Sequence, residues 1–527
     1  MAASRRRLSL RVVEAGDGTP GGSDDQPRPE VHLVQGRRFD AIEEAERHLV
    51  QRDRNLFQHA GRVVCVGPQR LDLGGGVKVD GLCIVEVTNE QMRLRFNRAC
   101  DIRKFDRRAE DRISVDCPKD FAQAYREQPG TWLLLQLRAV VTAPTLRPDG
   151  SILDRPGYDP RSAICYDPCG IAFPEIPRAP TLEDAQRAAD QIDSLFATLD
   201  LVDAIAHSAA LSAVMTPILR SAMTAAPMHG VTAPVAGSGK SKIVNIAAIL
   251  AVGHPVPVLA LGQREEETEK RLGAALISGS PLIVLDNAER AIGGELLCQA
   301  ITEPIVAPRI LGTSSTAKVA NTASWYATGN NLGFIGDIVR RALLIRIDPR
   351  CEQPELREFE AEDPLVTALR ERPALVAAVL TIARAFLLDG CPRKEPPLGS
   401  FDDWSKWVRD PLIWLGRPDP VLALGEARRE DPKLNALVAV MEQWRLVFGD
   451  RRVSCRDIAE KAQQQGFSGY SHAELREALL RVGGDGDKIS TRKLGQWLGT
   501  VKGRMVDGRR LIPADTLHGV ARWRLDC

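Results

Sequence analysis

The segment VTAPVAGSGKSKIVNIAAIL, residues 231–250, constrains the fold of this chain more than any other stretch. Two glycines, a lysine and a serine stand between a short apolar run and an apolar helix, in the order that a phosphate-binding loop requires. A glycine-rich turn lets backbone N–H groups converge on a phosphate, and the following helix adds its positive end. The segment therefore predicts a strand, a phosphate loop and a helix.

The residues expected to contact the nucleotide are contiguous: Ala236, Gly237, Ser238, Gly239, Lys240 and Ser241. Lys240 is placed to reach the terminal phosphates, and Ser241 to ligate Mg²⁺. Pro234 replaces the first glycine of the usual pattern G-x-x-x-x-G-K-[ST], which changes the entry to the loop but none of the residues that face phosphate or metal. The alternative is a chance glycine-rich turn. We expect ATP and Mg²⁺ as ligands.

Polar residues border three later apolar runs, which an α/β layer with a parallel sheet would contain as strands. Asp286 ends the run SPLIVLD and is expected to hold Mg²⁺ through water. Asn330 follows SWYATG and is expected to orient the attacking water. Arg340 and Arg341 precede ALLIRID, where an arginine can reach the γ-phosphate bound to a neighbouring subunit.

In this order, Lys240, Asp286, Asn330 and Arg340/Arg341 resemble the Walker A, Walker B, sensor-1 and arginine-finger set of AAA+ ATPases. The compact spacing is similar to superfamily 3 helicases of phage, plasmid and integrated-element replication. The resemblance covers residues 232–348, with a looser likeness over 31–527. It implies an ATPase, helicase activity in DNA replication of a mobile element, and a homo-hexameric ring.

One departure concerns the base that activates water. Many such ATPases have a glutamate directly after the Walker B aspartate, whereas this chain has Asn287, with Glu289 two residues later. We therefore expect slow hydrolysis or another base. The acidic run of residues 265–267 is interpreted as a solvated helix face.

The segment VAPRILGTSSTAKVAN predicts two short strands around a polar turn. The superfamily resemblance implies a hairpin here that grips DNA in the channel of the ring, with Arg309 and Lys318 as the basic residues. An ordinary surface hairpin with solvated cations is the alternative.

Residues 436–527 predict three helices followed by a β-hairpin, which is a winged-helix plan. The third helix would present Arg492 and Lys493 to duplex DNA. Residues 488–510 carry seven Lys/Arg and one acidic residue, so this face is locally basic although the net charge of the chain is +1. A protein-contacting winged helix is the alternative.

The predicted organisation is multidomain α/β: a mobile tail over 1–30, an N-terminal α+β domain over 31–175, a P-loop AAA+ core over 181–395, a helical lid and linker over 396–435, and the winged-helix domain. Asp149, Asp154 and Asp159 suggest a primase metal centre, but turn chemistry is the preferred interpretation. Cys165 and Cys169 are interpreted as structural rather than as metal ligands, because no second ligand pair follows.

The remaining features exclude some locations. No apolar run reaches the ~18 residues of a membrane span, and the N-terminus lacks the apolar core of a secretory signal. The 11 cysteines of the chain are scattered, which fits a reducing cytoplasm. The sequence predicts a cytoplasmic ATP-dependent DNA helicase or translocase. A nucleotide-switched DNA-binding initiator or regulator is the main alternative, and a primase–helicase fusion is a third.

Overall fold

The computed structural model describes residues 27–72, 78–262, 264–288, 290–309, 316–357, 361–429, 432–466, 469–517 and 519–526. The chain divides into two compact units, Met1–Leu332 with Arg341–Leu424, and Gly333–Arg340 with Gly425–Cys527. The boundaries predicted near residues 175 and 395 both fall inside the first unit. Residues 1–26 of the predicted tail lie outside the described ranges. Within those ranges, no helix is long and apolar enough to cross a membrane.

The N-terminal part of the first unit combines helices with strands. Its helices are α1 (Arg38–Arg52), α2 (Asn89–Ala99) and α3 (Lys119–Arg126). Its strands are β1 (Glu30–Leu33), β2 (Phe57–His59), β3 (Arg62–Asp72), β4 (Lys78–Glu86), β5 (Asp101–Asp106), β6 (Asp111–Ser114), β7 (Leu135–Gln136), β8 (Ala139–Val141), β9 (Thr145–Leu146), β10 (Ile152–Leu153), β11 (Gly157–Asp159) and β12 (Ile164–Tyr166). The three helices share one apolar core with β1, β3 and β5, because their buried residues recur at helical spacing.

The second part of the first unit is a parallel sheet between helices. Its strands are β13 (Met228–Ala233), β14 (Val258–Ala260), β15 (Leu282–Asp286), β16 (Ile305–Val306), β17 (Val319–Ala320), β18 (Ser324–Asn330) and β19 (Ala342–Arg346). Its helices are α4 (Leu182–Asp193), α5 (Ala204–Leu219), α6 (Lys240–Val252), α7 (Glu265–Ile277), α8 (Glu295–Thr302), α9 (Pro364–Leu388), α10 (Asp402–Trp404), α11 (Asp410–Trp414) and α12 (Ala423–Arg429), the last ending in the second unit.

The central sheet has five parallel strands in the order β14-β15-β18-β13-β19. These strands are apolar on both faces because helices cover both sides of a parallel sheet. The carboxyl ends of β13, β15 and β18 meet at one edge, and β18 lies between the other two. The predicted parallel sheet is therefore confirmed, and its order decides which polar residues meet.

The segment after β7 packs on the helices of the core. Thr145 Oγ1 donates to Ile218 O at 2.7 Å. Arg372, 2% exposed, donates to Thr142 Oγ1 at 3.0 Å and to Leu250 O at 3.1 Å. Its cation thus lies at the C-terminal end of α6, where the helix dipole is negative.

The second unit combines helices with short strands and a long β-hairpin. Its helices are α13 (Pro432–Val447), α14 (Cys455–Ala462), α15 (Ala473–Gly483) and α16 (Thr491–Val501). Its strands are β20 (Val453–Ser454), β21 (Gln465–Gly466), β22 (Gly469–Tyr470), β23 (Gly484–Asp485), β24 (Lys488–Ile489), β25 (Arg510–Leu517) and β26 (Val520–Asp526). Strand β26 pairs with both β25 and β20. The predicted Ser454 cap is confirmed, since its side chain accepts from Asp457 N.

Candidate active site

The loop between β13 and α6 has the backbone that its glycines predict. Gly237 and Gly239 have φ values of 72° and 83°, in the region that side chains disfavour. Gly239 precedes the first residue of α6, so the free N–H groups of this helix open toward the loop. Pro234 is exposed just after β13 ends, which leaves the turn itself intact.

Lys240 is held across the loop by two acceptors. Its Nζ donates to Val235 O at 2.9 Å and to Asn330 Oδ1 at 2.7 Å. Burial lowers the pKa of Lys240, and the Asp286 carboxylate partly opposes that shift. The side chains of three segments that are far apart in the sequence thus meet at the carboxyl edge of the sheet.

Asp286 and Asn287 are tied to the neighbouring strand β18. Thr328 Oγ1 donates to Asp286 Oδ1 and also accepts from Asn287 N at 3.2 Å. Asn287 itself has a φ of 49°, and Ala288 N donates to Thr328 O at 2.9 Å. Glu289, the carboxylate two residues after Asn287, lies outside the described residues.

The two arginines before β19 have different surroundings. Arg340 forms a salt bridge with Asp337, and its side chain is 58% exposed. Arg341 turns toward α8, where it donates to Cys298 O and, at 3.1 Å, to Thr302 Oγ1. Arg340 therefore presents its guanidinium to solvent more openly than Arg341.

The predicted hairpin is present between α8 and β18. Strands β16 and β17 pair antiparallel. The backbones of Arg309 and Thr316 form a further, isolated antiparallel β-bridge. Arg309 and Lys318 are both exposed. The tip, residues 310–315, lies outside the described residues.

The base of the hairpin is anchored to the core by Asn321 and Arg220. Asn321 Nδ2 donates to Glu303 O at 3.0 Å, which joins the two ends of the hairpin. The buried Arg220 donates to Asn321 O at 2.8 Å and to Ala323 O at 2.9 Å. No sequence pattern predicts this role for Arg220, because all of these acceptors are backbone carbonyls.

Glu355 and Leu199 also lie close to the phosphate loop. A Cβ atom on Gly237 would lie 2.9 Å from Glu355 Oε2, and one on Gly239 would lie 2.9 Å from Leu199 Cδ2. Glu355 is exposed and belongs to the short helical turn Pro354–Leu356. A carboxylate therefore stands beside the loop.

In the second unit, the two basic residues predicted to contact DNA occupy the first turn of α16. Arg492 is exposed. Lys493 Nζ binds Asp485 Oδ1 and Gly484 O, each at 3.0 Å. Part of the Lys493 charge is therefore already compensated within the unit.

The N-terminal acids are engaged in turns and ion pairs. Asp149 accepts from Ser151 N at 2.9 Å and forms a salt bridge with Arg161. Asp159 pairs with Arg147 at 3.0 Å. Within the described ranges, no group of three or more acidic, histidine or cysteine side chains is arranged to hold a metal ion. Asp154, Cys165 and Cys169 therefore belong to no such group.

The residues at the carboxyl edge suit a magnesium nucleotide. Oxygen ligands are what Mg²⁺ prefers, and it keeps several waters of its own. Ser241 is exposed at the start of α6, and Asp286 is half-buried at the end of β15. Together with the open N-terminus of α6 and the Lys240 cation, they could hold a metal ion and a polyphosphate.

No family model matches this chain, and no curated protein matches it. Among solved structures, the A form apo structure of the NrS-1 C-terminal region aligns with a TM-score of 0.36 and 10% identity, covering 79% of this chain and 92% of that chain. A second structure of that region gives 0.35 and 11%, covering 88% and 96%. The SCCmec type IV Cch protein, described as an active helicase, gives 0.32 and 10%, covering 89% and 97%. These values assign neither a family nor an activity.

Proposed function

We propose that this protein is an ATP-dependent DNA helicase or translocase that acts as a ring in the replication of a mobile genetic element. The proposal rests on one relationship above all. Strand β18 ends at Asn330, which binds Lys240, and begins three residues after the hairpin that carries Arg309 and Lys318. One strand therefore connects the candidate nucleotide site with the candidate DNA-gripping element.

In the proposed reaction, the loop backbone and Lys240 would bind the triphosphate. Ser241 and Asp286 would hold Mg²⁺, which would supply charge stabilisation at the phosphates. Asn330 orients a water molecule, whose oxygen attacks the γ-phosphorus as the bond to the bridging oxygen breaks. The products are ADP and inorganic phosphate. Because these groups are fixed before the reaction, their main contribution is positioning and charge stabilisation.

The ring assigns a separate task to the arginines before β19. In a homo-hexamer, Arg340 or Arg341 of one subunit would face the γ-phosphate bound by the next subunit. The exposure of Arg340 supports it as the residue that crosses between subunits. The second unit, through Arg492 and Lys493, would dock duplex DNA as a winged helix.

The experiment that tests this function is steady-state ATP hydrolysis with and without single-stranded DNA. We expect DNA to stimulate the wild type, and Arg309→Ala and Lys318→Ala to remove the stimulation while leaving basal hydrolysis unchanged. Lys394→Ala replaces an exposed lysine of another segment and serves as the control. Strand displacement should be lost in the same two hairpin variants. Stimulation that survives both hairpin substitutions would contradict the motor.

A nucleotide-switched DNA-binding initiator or regulator is the second candidate. Asn287 favours it, because a carboxamide cannot accept the proton of the attacking water as a glutamate does. Tight ATP binding with negligible turnover, with or without DNA, would select this candidate over the motor. The primase–helicase fusion lacks support from Asp149 and Asp159, whose carboxylates bind arginines, and the absence of primer synthesis would remove it.

A further inference from the structure

Thr328 is a polar residue that the proposed reaction leaves without a task. It lies two residues before Asn330 on β18 and is 2% exposed. A buried hydroxyl needs partners, and Thr328 has them on the adjacent strand rather than within its own. Its Oγ1 donates to Asp286 Oδ1 and accepts from Asn287 N at 3.2 Å.

We infer that Thr328 is the positioning residue of the metal-binding carboxylate, acting on Mg²⁺ through Asp286. This inference rests on the proposed nucleotide site. The hydrogen bond occupies Oδ1 and fixes the plane of the carboxylate, so that Oδ2 remains to accept from a metal-bound water. A partner of this kind, one shell outside the ligands, orients the ligand and raises metal affinity.

The neighbouring glycine supports a specific fit between β18 and the turn after Asp286. A Cβ atom on Gly329 would lie 2.8 Å from Ala288 O and 3.4 Å from Ala288 N. Both are backbone atoms that cannot rotate away, so this close approach requires glycine. Ala288 N also donates to Thr328 O at 2.9 Å. The turn after Asp286 is thus held against β18 by the hydrogen bond to Thr328 and by the close packing of Ala288 on Gly329.

Each residue of the sequence Thr328-Gly329-Asn330 then has a distinct contact. Thr328 holds the acid that would bind the metal, Gly329 admits the turn, and Asn330 holds Lys240 at 2.7 Å. The end of one strand therefore fixes the relative positions of the metal ligand and the phosphate-binding cation. This arrangement explains why a hydroxyl, rather than an apolar side chain, occupies a buried place on a core strand.

The test replaces the hydroxyl without changing the shape of the side chain. Binding of a fluorescent ATP analogue to the full chain is titrated in EDTA and at increasing Mg²⁺, for wild type, Thr328→Val and Thr328→Ser. We expect Thr328→Val to raise about tenfold the Mg²⁺ concentration that gives half of the maximal gain in nucleotide binding. Affinity in EDTA should not change, and Thr328→Ser should stay close to the wild type.

A matched control removes a buried hydroxyl elsewhere. Thr381 is 7% exposed in α9 and donates to Ala377 O at 2.7 Å. Thr381→Val should therefore leave the Mg²⁺ dependence at the wild-type value, and thermal unfolding checks that each variant is folded.

The outcomes separate the two proposals. A wild-type Mg²⁺ dependence in folded Thr328→Val overturns the positioning role alone. If Thr328→Val does not fold, Thr328→Ser and Thr328→Cys are compared, and equal Mg²⁺ dependence in these two overturns it. A wild type that binds no nucleotide under any condition overturns the nucleotide site, and the role of Thr328 with it.

Discussion

Lys240 Nζ and Asn330 Oδ1 are 2.7 Å apart, although 90 positions separate the two residues in the chain. The contact exists because β13 and β18 are adjacent parallel strands whose carboxyl ends lie at one edge. It holds the cation of the phosphate loop beside the amide that is expected to orient water. A bound γ-phosphate would compete for the same ammonium group, so nucleotide binding and the position of Asn330 are linked.

Lys240→Ala should weaken ATP binding by about a hundredfold, because a charge-assisted contact to phosphate is lost. Titration with a fluorescent ATP analogue measures this. Lys242→Ala is the matched control, since Lys242 lies on the same helix but pairs with Asp363 at 3.1 Å. Equal affinity for wild type and Lys240→Ala would remove the site assignment.

Asn330→Ala should lower kcat about a hundredfold with little change in KM, because the amide is assigned to the transition state rather than to binding. Steady-state kinetics measure both constants. Asn331→Gly is the control, as Asn331 has a φ of 48°, which glycine adopts without strain. A rise in KM with kcat unchanged would instead assign Asn330 to nucleotide binding.

The two arginines before β19 should separate by their effects on stability. Arg341→Ala removes hydrogen bonds to α8 and should lower Tm by about 2–4 °C. Arg340→Ala should leave Tm unchanged and suppress hydrolysis. Mixing Arg340→Ala subunits with Lys240→Ala subunits should restore part of the activity. The interface that joins Lys240 of an Arg340→Ala subunit to Arg340 of a Lys240→Ala subunit combines two intact halves. Activity that stays absent in every mixture would rule out a site shared between subunits.

Glu355→Gln should tighten ATP binding about threefold, because it removes a negative charge beside the phosphate loop while keeping the shape of the side chain. The same fluorescence titration, at low and high salt, provides the measurement. Salt should reduce the difference, since exposed charges are screened. Glu352→Gln is the control for a carboxylate of the same exposed segment. Weaker binding in Glu355→Gln would show that this side chain helps to hold the nucleotide.

His229 should make stability depend on pH. It is 0% exposed on β13, and burial lowers its pKa from 6.5 to about 3. Since the unfolded chain binds a proton near 6.5, the stabilisation is complete above that pH and is lost as the pH falls toward 3. Between pH 6.5 and 5, this histidine should account for about 2 kcal/mol of the free energy of unfolding.

Urea titrations at pH 7.5 and pH 5 measure that loss. His229→Gln keeps a polar side chain that cannot be protonated, so the difference between the two pH values should shrink. His48→Gln, a change in the half-exposed part of α1, should not alter it. An unchanged pH dependence in His229→Gln would show that other groups produce it.

Local features could be predicted from the sequence alone. The glycines of the loop, the apolar strands and the Ser454 cap depend on residues within a few positions of one another, so pattern and backbone preference suffice to predict them. The hairpin strands β16 and β17 follow for the same reason. The roles of Asp286, Asn330, Arg309 and Lys318 remain predictions for the experiments above.

Which of these polar residues meet depends on the packing of the strands. The strand order placed β18 between β13 and β15, and this alone brings Thr328 to Asp286 and Asn330 to Lys240. Tertiary packing also places Arg341 against α8 and Glu355 beside Gly237. Such contacts join residues from tens of positions apart, and their formation depends on how strands and helices pack. The pattern of neighbouring residues in the sequence therefore does not predict these contacts.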